Sequence, residues 1–260
     1  MDDPFELSGK AVVITGGTKG IGRTIADTFM EHGAEVVVCG RNEPTEPIAV
    51  GGRQAVFVAA DVRDPEQVDA LVGTAVERLG GVDVLINNAG GSPEAETATV
   101  SPKFNEAIIR LNLIAPLQVA QRCNLVMQSQ PDGGSIINVG SVSGIRPSPG
   151  TAAYGAAKAG LLNLTETLAV EWAPKVRVNA VVAGLIETEQ ADLHYGDESG
   201  VAAVAGTIPL GRMGTPADVA AACLFLASPL ASYMSGGRLL LHGGGEVPAY
   251  LGATSKRGSR

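Results

Sequence analysis

Aromatic residues are scarce in this chain, at 4% of positions with a single tryptophan, and charged residues make up only 18%. Aliphatic and small side chains must therefore build the core, and 45% hydrophobic residues over 260 positions suffice for a sizeable one. Positive charge is also in short supply. The 19 Lys and Arg against 27 Asp and Glu give a formal net charge of −8, which argues against a general nucleic-acid or membrane-surface binder. A few local cations could still hold an anionic small molecule. The 3 cysteines, Cys39, Cys123 and Cys223, are far apart and lack metal-ligand spacing. They read as free thiols in a reducing cytosol, with no metal site. No run approaches the roughly 18 apolar residues of a membrane span, and the acidic opening MDDPFELSGK is no signal peptide. The expectation is a soluble, cytoplasmic protein.

What is present is alternation. Apolar strand-like runs at residues 11–15 (AVVIT), 35–39 (EVVVC), 55–59 (AVFVA), 82–86 (VDVLI), 135–139 (SIINV), 176–182 (VRVNAVV) and 238–242 (RLLLH) are separated by longer segments. Helical patterns fall near residues 22–32, 65–79, 102–128, 152–172 and 216–226. Continuous Val/Ile/Leu runs suit parallel strands covered on both faces. Right-handed crossovers then give an α/β, doubly wound sheet of about seven strands. Residues 42–52 (NEPTEPIAVGG) carry two prolines and cannot form a full crossover helix, so a loop or single turn is expected there. No linker marks a second domain. Residues 1–250 are expected to form one domain, and the small, polar residues 251–260 a disordered tail.

The first strand runs into Thr15-Gly16-Gly17-Thr18-Lys19-Gly20-Ile21-Gly22 ahead of a helix. Glycines allow a tight turn and close approach to a pyrophosphate, and the helix N-terminus offers unpaired N–H groups and a positive partial charge. The spacing Gly16, Gly20, Gly22 is not GxGxxG, and a bland glycine-rich turn is the alternative. After the second strand, where an NAD site usually carries an acid, the chain reads Gly40-Arg41-Asn42. Arg41 and Lys19 near the ribose would favour a 2′-phosphate, hence NADP, with NAD the alternative if Arg41 merely stacks on adenine or faces solvent.

Tyr154 and Lys158 lie one turn apart on a predicted helix and share a face. A phenol has an ordinary pKa near 10, and a neighbouring cation stabilises phenolate and lowers it toward acid/base use. Such a pair is common by chance. Ser141 at the end of the fifth strand sits where open α/β sheets bind ligands, and its hydroxyl could donate to a carbonyl oxygen as negative charge develops. Asn112, an amide flanked by apolar residues (IIRLNLIAPL), needs a partner. Taken singly, a strand-end turn serine and a satisfied core asparagine are the favoured readings.

Taken together, Thr15–Gly22, Asp61-Val62, Asn87-Asn88-Ala89-Gly90, Asn112, Ser141, Tyr154-x-x-x-Lys158 and Asn179 resemble the ordered motifs of the classical short-chain dehydrogenase/reductase family. The interval from Ser141 to Tyr154 is also the family's, and the likeness covers nearly the whole chain. The resemblance implies a Rossmann domain, usually a homotetramer or homodimer with helices around Asn112 and Tyr154 at an interface. It implies metal-free hydride transfer between a nicotinamide and a carbonyl or secondary alcohol. Tyr154 would be the acid/base, and Ser141 would polarise the carbonyl. Lys158 would hold the ribose and depress the tyrosine pKa, while Asn112 would hold a relay water. Cofactor contacts would come from Gly16, Thr18, Lys19, Gly20, Ile21, Gly22, Arg41, Asp61, Val62, Asn88, Ala89, Gly90, Tyr154, Lys158, Gly184, Ile186 and Thr188.

There are departures. Ala183-Gly184 replaces the family's frequent Pro-Gly, which predicts a less rigid loop, and the short segment after Arg41 predicts an open adenosine end. Residues 209–216 (PLGRMGTP) and Gly243-Gly244-Gly245 are similar to 3-oxoacyl-thioester reductases and related alcohol or hydroxysteroid dehydrogenases. The Tyr–Lys spacing favours C=O over C=C chemistry, since enoyl reductases of the superfamily place the two farther apart. Substrate specificity is expected from residues 185–207, which include His194, Tyr195 and an acidic pair, Asp197-Glu198, with further lining from 91–95 and 142–149. His194 reads as a loop residue, and Arg146 either as an anchor for a carboxylate or thioester phosphate or as a surface arginine. A dinucleotide-sensing protein without turnover is the competing class; such a chain would be expected to lose Tyr154 or Lys158.

Overall fold

The computed structural model describes residues 4–189 and 197–249; His194, Tyr195 and the expected tail lie outside them. The main sheet has 7 strands. These are β1 (Ala11–Thr15), β2 (Glu35–Gly40), β5 (Val56–Ala59), β6 (Val84–Asn87), β7 (Gly134–Ser141), β8 (Val176–Ala183) and β9 (Arg238–Leu241). Their order is β5-β2-β1-β6-β7-β8-β9 and every pairing is parallel. Chain direction across the sheet reverses between β1 and β6, so the carboxyl ends of these strands flank the crevice where doubly wound sheets bind ligands.

Alternate strand residues feed two cores, which is why the strands read as unbroken aliphatic runs. Val12, Ile14, Val36, Val38, Ile86 and Ile137 pack with Ile25 and Phe29 of α1 (Gly20–Glu31) and with Leu226 of the helix Pro216–Ala227. On the opposite face Val13, Val37, Leu85, Ile136 and Val178 meet α2 (Pro65–Leu79), α4 (Ala115–Ser129) and α5 (Ala152–Glu171). Asp64 caps α2 by accepting from Glu66 N–H, with Pro65 in the first turn, so the start read from the sequence coincides with a built N-terminus.

Three expectations need correction. Residues 42–52 do not form only a loop: β3 (Ala49–Val50) and β4 (Arg53–Gln54) make a two-residue antiparallel ladder. Its turn is Gly51-Gly52, with φ of 60° and 79°, the positive-φ pair that tight hairpins require. The predicted helical segment over residues 102–128 is continuous but not uniform: α3 (Pro102–Ile109) passes through a π-turn at Arg110–Ile114 into α4. Pro116 has no N–H for the carbonyl four residues back, that of Asn112, and the ladder widens, with Ala115 N–H bonding Arg110 C=O. Finally, Asp197-Glu198 is not merely an acidic cluster. Asp197 caps α6 (Glu198–Ala205) by accepting from Ser199 and Gly200 N–H. The helix Pro216–Ala227 is thus α7.

Candidate active site

The turn after β1 is built by mutual backbone approach. A side chain at Gly22 would collide with the carbonyl of Gly16 and the amide of Asn88, so only glycine lets α1 start this close to the strand. Asn88 Nδ2 donates to the carbonyls of Thr15 and Gly16 at 3.0 and 3.1 Å, tying the end of β6 to the turn. Thr15 Oγ1 accepts from the N–H groups of Asn88 and Ala89, both at 3.0 Å. No side chain caps α1 and its first turn holds no acid. Its N-terminal N–H groups and dipole therefore remain available to an anion.

Lys158 is 4% exposed, and burial pushes its ammonium down to about 8. Its Nζ donates to Val139 C=O at 2.6 Å and lies 5.6 Å from the centre of the Tyr154 ring, one turn back on α5. A cation held over a phenol favours phenolate. Ser141 closes β7, where its Oγ accepts from Ser143 N–H at 3.1 Å. An oxygen that already accepts there can turn its own proton outward.

Asn112 is fully buried within the π-turn. Its Oδ1 accepts from Gly91 N–H at 2.8 Å, and its Nδ2 donates to Gly91 C=O at 2.9 Å and to Ile108 C=O at 3.0 Å. The amide thus holds the strand-end segment 88–91 and gives Ile108 a donor inside the widened turn.

One cavity of about 950 Å³ runs along the carboxyl edge of the sheet. Gly16, Thr18, Lys19, Gly20, Ile21, Gly22, Arg41, Asp61, Val62, Asn88, Ala89, Gly90, Ser141, Tyr154, Lys158, Gly184, Ile186 and Thr188 all line it. Asn112 stands behind the wall, where it braces Gly91. The volume sits near the upper end of small-molecule sites, roughly 300–1,000 Å³, as a dinucleotide with substrate needs.

A sequence profile described as enoyl-(acyl carrier protein) reductase matches residues 16–246. The chain is an oxidoreductase of the short-chain dehydrogenase/reductase family. It is 38% identical over 246 residues to 3β-hydroxysteroid dehydrogenase 1 of Eggerthella lenta, covering 92% of this chain and 94% of that protein. It is 35% identical over 243 residues to a 3-oxoacyl-[acyl-carrier-protein] reductase of Vibrio cholerae, covering 92% and 98%. Among solved structures, a short-chain type dehydrogenase/reductase from Mycobacterium marinum superposes with a TM-score of 0.86 at 33% identity, over 95% of this chain and 99% of that one. Family members use NAD or NADP.

Within this short-chain dehydrogenase/reductase site, several features escaped the sequence. Arg63 Nε donates to both carboxylate oxygens of Asp61, at 2.9 and 3.1 Å, and this holds the Asp61 carboxyl down at about 2. The spacing of one intervening residue after a strand was the available signal. Glu43 and Glu46 line the cavity beside Arg41, so the short segment after Arg41 contributes to its wall. The loop after Ala183 lacks the family's proline, yet its backbone is fastened. Gly184 N–H bonds Leu241 C=O at 2.8 Å, Gly214 N–H bonds Leu185 C=O at 2.9 Å, and Glu187 N–H bonds Gly214 C=O at 2.8 Å. Arg146 is no free anchor, because its guanidinium meets Glu246 Oε1 at 2.6 Å. Asn179, read as a family motif residue, is remote from the cavity lining; it donates to Met234 C=O at 2.7 Å and accepts from Gly237 N–H at 2.9 Å, joining β8 to the approach of β9. Among the described residues no helix is long and apolar enough to cross a membrane, and no cluster has the composition of a metal site.

Proposed function

We propose that the protein interconverts a carbonyl and a secondary alcohol, with Tyr154 as acid/base, Ser141 and Lys158 beside it, and NADP as the preferred dinucleotide. The observation that carries this reading is that Ser141, Tyr154 and Lys158 line one cavity together with the uncapped glycine turn. The turn fits a pyrophosphate because α1 starts there with no side-chain cap and no acid in its first turn, and Gly16, Gly20 and Gly22 line the cavity at that point. When bound, the dinucleotide gives or takes the hydride at the substrate carbon.

In the reducing direction Tyr154 passes its hydroxyl proton to the carbonyl oxygen, and in oxidation it takes the proton from the alcohol. Ser141 donates toward the same oxygen as negative charge grows there. The Lys158 ammonium, anchored by one hydrogen on Val139 C=O, keeps two others for a ribose hydroxyl and for stabilising phenolate. Asn112 holds the segment through Gly91 against this lysine. The adjacent placement of tyrosine and lysine on one helical turn supports C=O rather than C=C chemistry, although the matching profile's description names an enoyl reductase.

NADP is favoured because no carboxylate directly follows β2. Arg23 is paired with Asp27 and Arg63 with Asp61, whereas Lys19 and Arg41 are both exposed along the cavity. Titration with NADPH and NADH is expected to show tighter NADPH binding, narrowed about tenfold in Arg41→Ala by loss of one phosphate contact; a preference for NADH in the native protein overturns the assignment. Tyr154→Phe is expected to lose at least a hundredfold in kcat on a panel of 3-oxoacyl thioesters, oxosteroids and simple ketones, as general acid–base catalysis contributes about 10²–10⁴. Unchanged NADPH oxidation in that variant sinks the mechanism, and binding without turnover in the native protein favours a sensing role. The apolar side chains Leu125 on α4 and Val170 on α5 are 63% and 80% exposed, which supports self-association through these helices in the cytoplasm. Sedimentation tests it.

A further inference from the structure

The chain that follows Ser141 is laid directly on the helix that carries Tyr154 and Lys158. It begins as a 3₁₀ turn over Val142–Gly144. A side chain at Gly144 would meet the Lys158 carbonyl carbon and the Ala159 nitrogen, each at 2.8 Å, and one at Gly155 would meet Ser143 C=O at 2.9 Å. Glycine at both places lets the two backbones close to contact. The turn therefore meets α5 between Gly155 and Ala159, and any slip of it moves Ser141 relative to Tyr154 and Lys158.

Three hydroxyls fasten this turn. Ser148 Oγ donates to Ser143 Oγ at 3.0 Å and lies 2.6 Å from Thr151 Oγ1. A hydroxyl has one proton, and that of Ser148 is spent on Ser143, so across the shorter contact Thr151 is the donor. Ser143 in turn gives its backbone N–H to Ser141 Oγ at 3.1 Å. The donors thus run in one direction, from Thr151 through Ser148 and Ser143 to Ser141, and the two hydroxyl bonds polarise each other. Thr151 is the N-cap of α5, where a threonine oxygen ordinarily accepts from the first turn, yet its side chain makes no such bond. That cap is given up to the chain. Ser148 is half-buried and does not line the main cavity, whereas Ser141, Ser143 and Thr151 do.

We propose that Ser148 is a positioning residue for the reaction: it holds Ser143 so that the Ser143 N–H stays on Ser141 Oγ, which keeps the Ser141 proton turned toward the substrate oxygen. This rests on the carbonyl-reducing reading of the main cavity and adds to it the residue that orients the serine. A hydroxyl left to rotate donates in the useful direction only part of the time, and small misplacements of a group at the reacting centre are costly.

A double-mutant cycle tests it, with Ser148→Ala, Ser141→Ala and the two combined, and Ser143→Ala as a second route to the same bond. Both kcat and KM are measured with NADPH on the ketone of the panel that the native protein turns over fastest. Exchange of the amide at position 143 is followed by NMR in the dinucleotide-free proteins. Ser148→Ala is expected to lower kcat about tenfold, to change KM less than about twofold, and to speed that exchange about tenfold, the scale of one hydrogen bond. Ser143→Ala, which takes the acceptor from the same bond, does likewise. Ser141→Ala loses about a hundredfold or more, and adding Ser148→Ala to it costs less than about twofold further, because Ser148 acts only through Ser141. A merely structural role would cost the same with and without the Ser141 hydroxyl. That equal loss, unchanged exchange, an unchanged kcat in Ser148→Ala, or a native kcat in Ser143→Ala overturns the proposal and leaves the carbonyl-reducing reading standing. Turnover of no panel ketone by the native protein overturns that reading and the proposal with it.

Discussion

Removing the buried charge of Lys158 should change how stability depends on pH in a calculable way. In the folded protein burial lowers this ammonium from 10.5 to about 8, while in the unfolded chain it keeps its ordinary value. Below pH 8 both states hold the proton and the folded state carries the full cost of burying the charge. Between about 8 and 10.5 the unfolded chain still holds the proton and the folded chain has released it, so stability rises with pH across that window. At about 1.4 kcal/mol for each unit of displacement, the cost at neutral pH is on the order of 3 kcal/mol. Lys158→Met keeps the length of the side chain and removes the charge. It also takes the donor from Val139 C=O, which costs roughly 1–3 kcal/mol at any pH. The variant is therefore expected to lie between equal stability and about 2 kcal/mol above the native protein at pH 7. At pH 10.5 it should fall below by the carbonyl cost. Urea unfolding of the dinucleotide-free proteins, followed by circular dichroism at matched concentrations and at intervals from pH 7 to 11, measures the gap. A gap that moves by on the order of 3 kcal/mol supports the burial argument when both proteins also carry Tyr154→Phe, which removes the neighbouring group whose titration Lys158 alters and lets the remaining ones cancel. Parallel curves refute it.

Two further substitutions probe the scaffold. Gly22→Ala places a methyl group against Gly16 C=O and the Asn88 amide, and overpacking of this kind costs about 1–3 kcal/mol. Its melting temperature should fall and its calorimetric dinucleotide affinity drop at least about tenfold, since the displaced backbone is the proposed phosphate cradle; native affinity in a folded variant would show that the close approach is dispensable. Asn138→Leu leaves Asn87 Nδ2 with only Pro116 C=O and removes a donor to Thr165 Oγ1, all in the buried space between β6, β7 and α5. A loss of roughly 1–3 kcal/mol in urea unfolding is expected, and an unchanged midpoint would mean that the network contributes nothing net.

The parallel sheet was legible because its strands are buried on both sides and say so in Val and Ile, as in Val36-Val37-Val38, where Val36 and Val38 enter one core and Val37 the other. The ends of α2 were legible because Asp64, Pro65 and the left-handed Gly80 are local devices whose effect needs no tertiary context. The hairpin of β3 and β4 was not, since two-residue strands are too short to show a period, and the prolines at 44 and 47 drew attention from Gly51-Gly52. The π-turn at Arg110–Ile114 was hidden by an apolar pattern that continues through it; Pro116 was the one warning. Arg146 was unreadable for a different reason. Its partner Glu246 is distant in sequence, and only the packing of the β9 exit against the β7 loop brings them together.

The same contrast explains how the candidate site is held. Glycine turn, Asn88 and Ser141 each sit at or beside a strand end, so the sheet register sets their relative positions, with Asn87 opposite Asn138 and Ser141 opposite Ala183. Asn112 has no strand to place it. It depends on a widened helical turn that spends both ends of its amide on Gly91 and Ile108. The tyrosine and lysine lie on α5, whose Thr165 Oγ1 bonds Leu161 C=O while accepting from Asn138 of β7. The proposed acid/base pair is thereby referenced to the sheet through a buried polar chain, and the wall facing it through a helix irregularity. Both are arrangements in which each polar group is costly unless its partner is in place. That requirement fixes the geometry of Tyr154 and Lys158 more tightly than aliphatic packing around them could, because dispersion contacts tolerate small shifts that hydrogen bonds do not.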